Sequence, residues 1–327
     1  MMKCFAMISV GLALLARTAG TAAEPVTRQL WLSPPGKPDG RCLRELFEHP
    51  DQWAETRSLV QALGYADHAL HRQFTDDELR TWLPQLQKWN IKLALEVGCV
   101  KLWGTTAKEA FAKQKKMWDR FESLGGKIGI FSLDEPLVCT RHHLKKPDAY
   151  AIAETAQFIA LLRQHYPDAL VGDIEAYPSI SAPDLIAFLS GVQARLKELK
   201  VRGLDFFQLD VDWVHFVLDL PGGWPDVKQV ESACRVRQLP FGLLYWAADY
   251  EHLKRDNLAH DSTWYLGVMR QGADYHLNHG RPDISIIQSW VGAPSRAVPE
   301  TAEGTFTRSV RDFARKFMPP VGSRTGS

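Results

Sequence analysis

Little in this 327-residue chain points to metal, nucleotide or nucleic-acid chemistry. Cysteine is scarce: its five residues fall at irregular intervals, without the paired Cys/His rhythm of a zinc site. Among the histidines, His142, His143, His215 and His252 follow expected strand ends, yet no HxH or HExxH spacing unites them. The first apolar segment runs into SPPGKPDG, which has neither GxGxxG nor GxxxxGK spacing, so a nucleotide-phosphate loop is missing. An excess of one charge is missing too, with 39 Lys and Arg against 38 Asp and Glu. The basic run at Lys113 to Lys116 reads as a solvated helix face, so no nucleic-acid partner is expected. No cofactor is called for.

Long apolar runs are also few. The one near the start, about Cys4 to Ala16, is too short to span a bilayer and ends at Arg17. With Lys3 before it and small residues up to Glu24, residues 1–23 read as a secretory signal peptide cleaved after Ala22 or Ala23. Loss of Lys3 and Arg17 takes the formal charge from +1 to −1. The expectation is an exported protein, periplasmic or secreted, with no integral membrane segment in its mature chain. Residues 24–318 suit one domain, and residues 319–327 read as a loose tail. Cys42, Cys99, Cys139 and Cys234 remain, either as buried thiols or with one bridge between Cys99 and Cys139.

What the chain does have is rhythm. Eight short segments rich in β-branched and aromatic residues recur: Arg28 to Leu32, Arg57 to Leu63, Ile91 to Val97, Lys127 to Leu133, Ala169 to Ile174, Leu204 to Leu209, Phe241 to Trp246 and Ile284 to Trp290. Helical patterns separate most of them. Thr75 and Glu78 form a capping box before Leu79, Trp82, Leu83, Leu86 and Trp89, and Ser181 with Asp184 opens another helix. Strand and helix units of about 30 to 40 residues, repeated about eight times, predict a single-domain α/β fold, the (β/α)8 TIM barrel. An open doubly wound sheet is the alternative.

In such a barrel the C-terminal strand ends converge on one pocket. Read to their ends, the strands bring Glu96, Asp134, Glu135, Asp173, Glu175, Asp210, Asp212 and Asp249 there. Acids are poor strand residues and costly to bury, so their gathering at one rim is the main functional signal. Trp31, Trp103, Tyr177, Trp213, Trp246 and Trp290 attend the same ends, with Gln208 and Gln288 among them. Aromatic faces stack on sugar rings, and carboxylates and amides bind hydroxyls; any one Trp alone is more often core. The set predicts a carbohydrate cleft for a poly- or oligosaccharide.

Paired carboxylates have a defined use in glycosidic cleavage. One acid protonates the departing oxygen, while a second carboxylate attacks the anomeric carbon or activates water. Glu135 is the candidate proton donor, with Pro136 after it and Asp134 beside it to raise its pKa. On the sixth strand Gln208, Asp210 and Asp212 alternate onto one face; Asp210 is the candidate nucleophile or base, and Asp212 its alternative. Glu96, Asp134, Asp173, Glu175 and Asp249 are expected to bind substrate, with Asp173 or Glu175 a further alternative for the base, and so are the aromatics and amides named above.

The segments SLDEP (Ser132 to Pro136) and IIQSW (Ile286 to Trp290) carry a resemblance to the (β/α)8 glycoside hydrolases with an Asn-Glu-Pro acid at the fourth strand. Asp134 stands in the Asn place, and the resemblance implies a general-acid role for Glu135 and a sugar-subsite role for Trp290. The seventh strand departs from that pattern. GLLYWAADY lacks the Glu that retaining members place there, which favours an inverting pair of Glu135 with Asp210 or Asp212. A non-catalytic sugar-binding barrel and a metal-dependent carbohydrate hydrolase or deacetylase are the competing readings.

Overall fold

In the computed structural model, residues 28–213, 222–246 and 260–319 are described. The expected signal peptide, nearly all of the expected tail, and Asp249 lie outside the described residues. Eight parallel strands close into a barrel in sequential order, each bonded to its chain neighbours and the first to the last. They are β1 (Gln29–Ser33), β2 (Ala62–Ala66), β3 (Lys92–Val97), β4 (Ile128–Asp134), β5 (Leu170–Tyr177), β6 (Phe206–Val211), β7 (Phe241–Tyr245) and β8 (Ile284–Gln288). Helices pack around the outside, and the expected (β/α)8 architecture is the one observed.

The helix signals act as their chemistry dictates. Thr75 and Glu78 complete the capping box of the helix Asp76–Lys88, whose Leu79, Leu83 and Leu86 are buried. Ser181 accepts from the Asp184 N–H at the start of Ala182–Glu198, and Thr106 does the same for Ala107–Ser123.

The second strand lies elsewhere than expected. Residues Ala54–Leu59 are helical, and the strand begins only at Ala62. The guanidinium of Arg57 lies 4.8 Å from the Trp89 ring centroid and bonds the Pro50 carbonyl, which ties this stretch to the outer layer. The true strand, ALGYA, is rich in small residues with low strand propensity. They are needed for close approach: a Cβ at Gly64 would stand 2.3 Å from the Ser33 hydroxyl oxygen.

The four cysteines of the described residues are free and buried, so the Cys99–Cys139 bridge is absent. Among the described residues no helix is long and apolar enough to cross a membrane.

Inside the barrel, Trp31 packs edge-on against Phe206 at 5.2 Å, filling the space beneath the C-terminal rim. Gly172 on β5 makes room for that ring, since a Cβ there would meet Phe206 at 1.9 Å. The expected effect of Gly172→Ala is therefore overpacking, with a loss of about 1–3 kcal/mol. Chemical denaturation measures it, and an unchanged midpoint would contradict this account of the barrel floor.

Candidate active site

Strand ends bring the acids together. A cleft of about 410 Å³ opens at the C-terminal rim, bordered by Glu96, Asp134, Glu135, Asp210 and Asp212. Trp246 and Trp290 form an aromatic wall of the same cleft, with ring centroids 4.7 Å apart. Two lobes adjoin it: one of about 540 Å³ beside Lys101 and Trp103, and one of about 330 Å³ between β1, β2 and β8. Glu96 borders all three.

Among the described residues, one ammonium sits beside these acids. Lys101 Nζ is 2.5 Å from an Asp134 carboxylate oxygen, and that partner lifts the lysine pKa despite its burial. Glu135, next along the chain, has its carboxyl raised to about 7, first by burial and then by the Asp134 charge. Glu96 is raised to about 8 by burial and by Asp134, while the Gln288 amide, donating at 3.1 Å, opposes the shift. Asp210 is buried and driven well above the usual carboxylate range, chiefly by desolvation and next by Glu135. The Trp246 indole N–H donates to it at 2.5 Å and favours its ionised form.

Glu135 is held in an unusual backbone conformation. Its φ of 48° and ψ of 53° lie in the left-handed region, which disfavours residues with a Cβ. The main chain pins it on both sides: its N–H donates to the Ile174 carbonyl at 2.9 Å, and its own carbonyl accepts from the Cys139 N–H at 3.0 Å. Directly after it, the Leu137 and Val138 N–H groups donate to the buried Glu175 carboxylate at 2.6 and 3.2 Å. Glu175 thus receives the two free amides of the turn that carries Glu135.

This placement corrects several expectations. On β5 the residues facing the cleft are Ile174 and Ala176, so by strand alternation Asp173, Glu175 and Tyr177 face the helical layer. Glu175 anchors a turn; Tyr177 donates its hydroxyl to Asp226 at 2.7 Å and accepts the Gly223 N–H. Asp173 is buried, and among the described residues no group bonds either of its carboxyl oxygens. Trp213 packs on Trp224 and Tyr245 behind the sheet, and Trp31 lies in the barrel floor. Substrate contact does not fit these five positions. Gln208 faces inward beneath the cleft with Gln288, and Trp103 stands half-exposed at the lobe beside Lys101.

Other residues border the cleft without having been anticipated. His68 and Arg72 follow the true end of β2 and line both lobes, with Lys37 in the smaller one. A strand assigned to Arg57 to Leu63 ends too early to point at them; the signal was DHALHR directly after ALGYA. Among the described residues, no group of three or more His, Cys, Asp and Glu side chains is arranged to hold a metal ion.

No protein-family model matches the chain, and a search of curated sequences finds no match. Similar solved structures include a protein assigned as an alpha-L-fucosidase from Bacteroides thetaiotaomicron, with TM-score 0.52, 8% identity, and coverage of 88% of this chain and 96% of that one. The YdjI aldolase from Escherichia coli K12 gives TM-score 0.46, 12% identity, and coverage of 89% and 88%. A Xylanase10C variant from Cellvibrio japonicus gives 0.49, 10% identity, and coverage of 81% and 59%. At these identities the likeness shows the barrel fold alone.

The raised carboxyls set a direction for stability against pH. Glu96 and Glu135 titrate near 4.5 when exposed, but at about 8 and about 7 in the fold. Between those values the native state binds more protons than the unfolded one, so stability falls as pH rises through that window. The thermal midpoint is expected to decline from about pH 5 to pH 8, with Glu96→Gln and Glu135→Gln each flattening the decline. Equal slopes in wild type and both variants would contradict the shifts.

Proposed function

We propose that this barrel is a glycoside hydrolase, with Glu135 as general acid and Asp210 as the carboxylate that activates water or attacks the sugar. The observation that carries the proposal is the pairing of a rim carboxyl held near neutrality with further carboxyls across one aromatic-walled cleft. A general acid must keep its proton at working pH, and Glu135 does so because burial and Asp134 disfavour its charge. Asp210, pushed upward yet held by an indole N–H, becomes a strong base once ionised. The productive form carries one proton on the pair, on Glu135; as that proton leaves for the departing oxygen, Glu135 becomes the carboxylate while Asp210 gives up its charge to the water proton or to the bond with the sugar, so the two titrate as a pair.

Asp212 lines the same cleft one step beyond β6 and is the alternative partner. The Trp290 ring, backed by the buried Trp246, supplies an apolar face for a sugar, while Glu96 and Gln288 offer groups for its hydroxyls. A Schiff-base reaction of aldolase type is less well supported. Lys101, the one lysine of the central rim among the described residues, is ion-paired and held protonated, which denies it the free amine such chemistry needs. The leader-like first residues favour a glycan outside the cytoplasm as substrate.

Reducing-end release from glycans should fall about 100- to 10,000-fold in Glu135→Gln with binding retained. The same assay on Asp210→Asn and Asp212→Asn separates the two partners. In wild type, kcat/KM should decline above about pH 7 as Glu135 loses its proton. Binding without any cleavage by wild type would mark a sugar-binding module instead, and activity of Glu135→Gln equal to wild type would sink the mechanism.

A further inference from the structure

Charge is unevenly spread around the cleft. The acids lie over β3, β4 and β6, but the lobe between β1, β2 and β8 has a different character. Its charged side chains are Lys37, Arg72 and Glu96, with His68 beside them. Glu96 is the only carboxyl bordering that lobe among the described residues, and its burial against Asp134 favours the neutral form. Other cations near the cleft are committed: Lys101 to Asp134, and Lys113 to Glu109.

Arg72 is not. Its Nε donates to the His68 carbonyl at 3.2 Å, one turn back on the helix Asp67–Gln73, which steadies the stem and leaves the guanidinium end facing the lobe. Its positive charge also lowers the pKa of His68, after the larger effect of burial, keeping that imidazole neutral and able to donate one hydrogen bond. Trp290 borders both this lobe and the acidic cleft, so a sugar chain crossing its ring would pass from one to the other.

We propose that the lobe between β1, β2 and β8 is a subsite for an anionic sugar, in which Arg72 and Lys37 bind the carboxylate of a uronic acid or a sulfate ester. The proposal rests on the carbohydrate reading of the cleft and narrows it to charged glycans. A guanidinium presents two parallel N–H groups to a planar carboxylate or to two sulfate oxygens, and a nearby ammonium adds charge without fixed geometry. The neutral sugar face stacks on Trp290, and the bond to be cleaved lies toward Glu135. A substrate anion finds two cations in this lobe, whereas Lys101 at the rim is already paired with Asp134, which sets the direction in which the chain lies.

Titration calorimetry with Glu135→Gln measures binding apart from turnover. The probes are tetrasaccharides of galacturonate and of mannuronate, each beside its carboxyl-reduced form, and a sulfated galactan tetrasaccharide beside its desulfated form. At least one charged member should bind tenfold or more tightly than its neutral counterpart, with affinity falling as salt rises. Adding Arg72→Gln and Lys37→Gln should bring that pair to parity and leave the neutral member unchanged. Preference for the uronates or for the galactan assigns the anion as carboxylate or sulfate. No preference for any charged member, or equal loss for both members of a pair, overturns the subsite. Wild-type turnover is scored separately. Charge-selective binding without cleavage refutes the hydrolase and keeps the subsite, whereas cleavage of neutral glycans without charge preference does the reverse.

Discussion

Burying carboxyl groups beside one another at the closing end of a barrel is the constraint on which this molecule depends. Glu96, Asp134, Glu135 and Asp210 share a partly desolvated space with Lys101, the single ammonium there among the described residues. Only Asp134 has that ammonium as its direct partner, at 2.5 Å; burial and neighbouring carboxylates raise Glu96, Glu135 and Asp210, so these three share fewer charges than carboxyls and Glu135 is the one that must keep its proton. Proton retention near neutrality follows from this shortage of positive charge and from burial. It is also what a general acid requires.

The rest of the fold keeps that arrangement in place. Closure of the eight-stranded sheet fixes the positions of β3, β4 and β6, and Trp31 and Phe206 fill the floor beneath. Glu135 leaves β4 in a left-handed conformation that opposes its side-chain sterics. Main-chain bonds to β5 and the Glu175 carboxylate on the outer face of that strand hold it there. Two glutamates on opposite faces of the wall thus have linked duties, one toward the cleft and one toward the turn that aims it.

The barrel was legible in the sequence because seven of its strands carry concentrated apolar residues and the helices Asp76–Lys88 and Ala182–Glu198 open on side-chain caps. The second strand was hidden by Gly64 and its alanine neighbours, whose small size serves close packing and leaves little strand signal. Strand-end acids on β3, β4 and β6 were legible because polar residues stand out against apolar runs. On β5 the same logic misled. Asp173 and Glu175 alternate with Gly172, Ile174 and Ala176, and alternation alone does not say which set faces the barrel axis. What decides it is Phe206, which needs the space at Gly172, together with the amides of Leu137 and Val138, which need an acceptor behind the strand. Those partners lie 34 to 38 residues away and have no local signature.

Glu135 keeps a proton near neutral pH because of where the barrel puts it. Carbon-13 NMR of glutamate-labelled protein, titrated from pH 4 to pH 9, tests this directly. A carboxyl resonance that is lost in Glu135→Gln should titrate near pH 7 in the wild-type protein. Titration of that same resonance near the ordinary 4.5 would contradict the account.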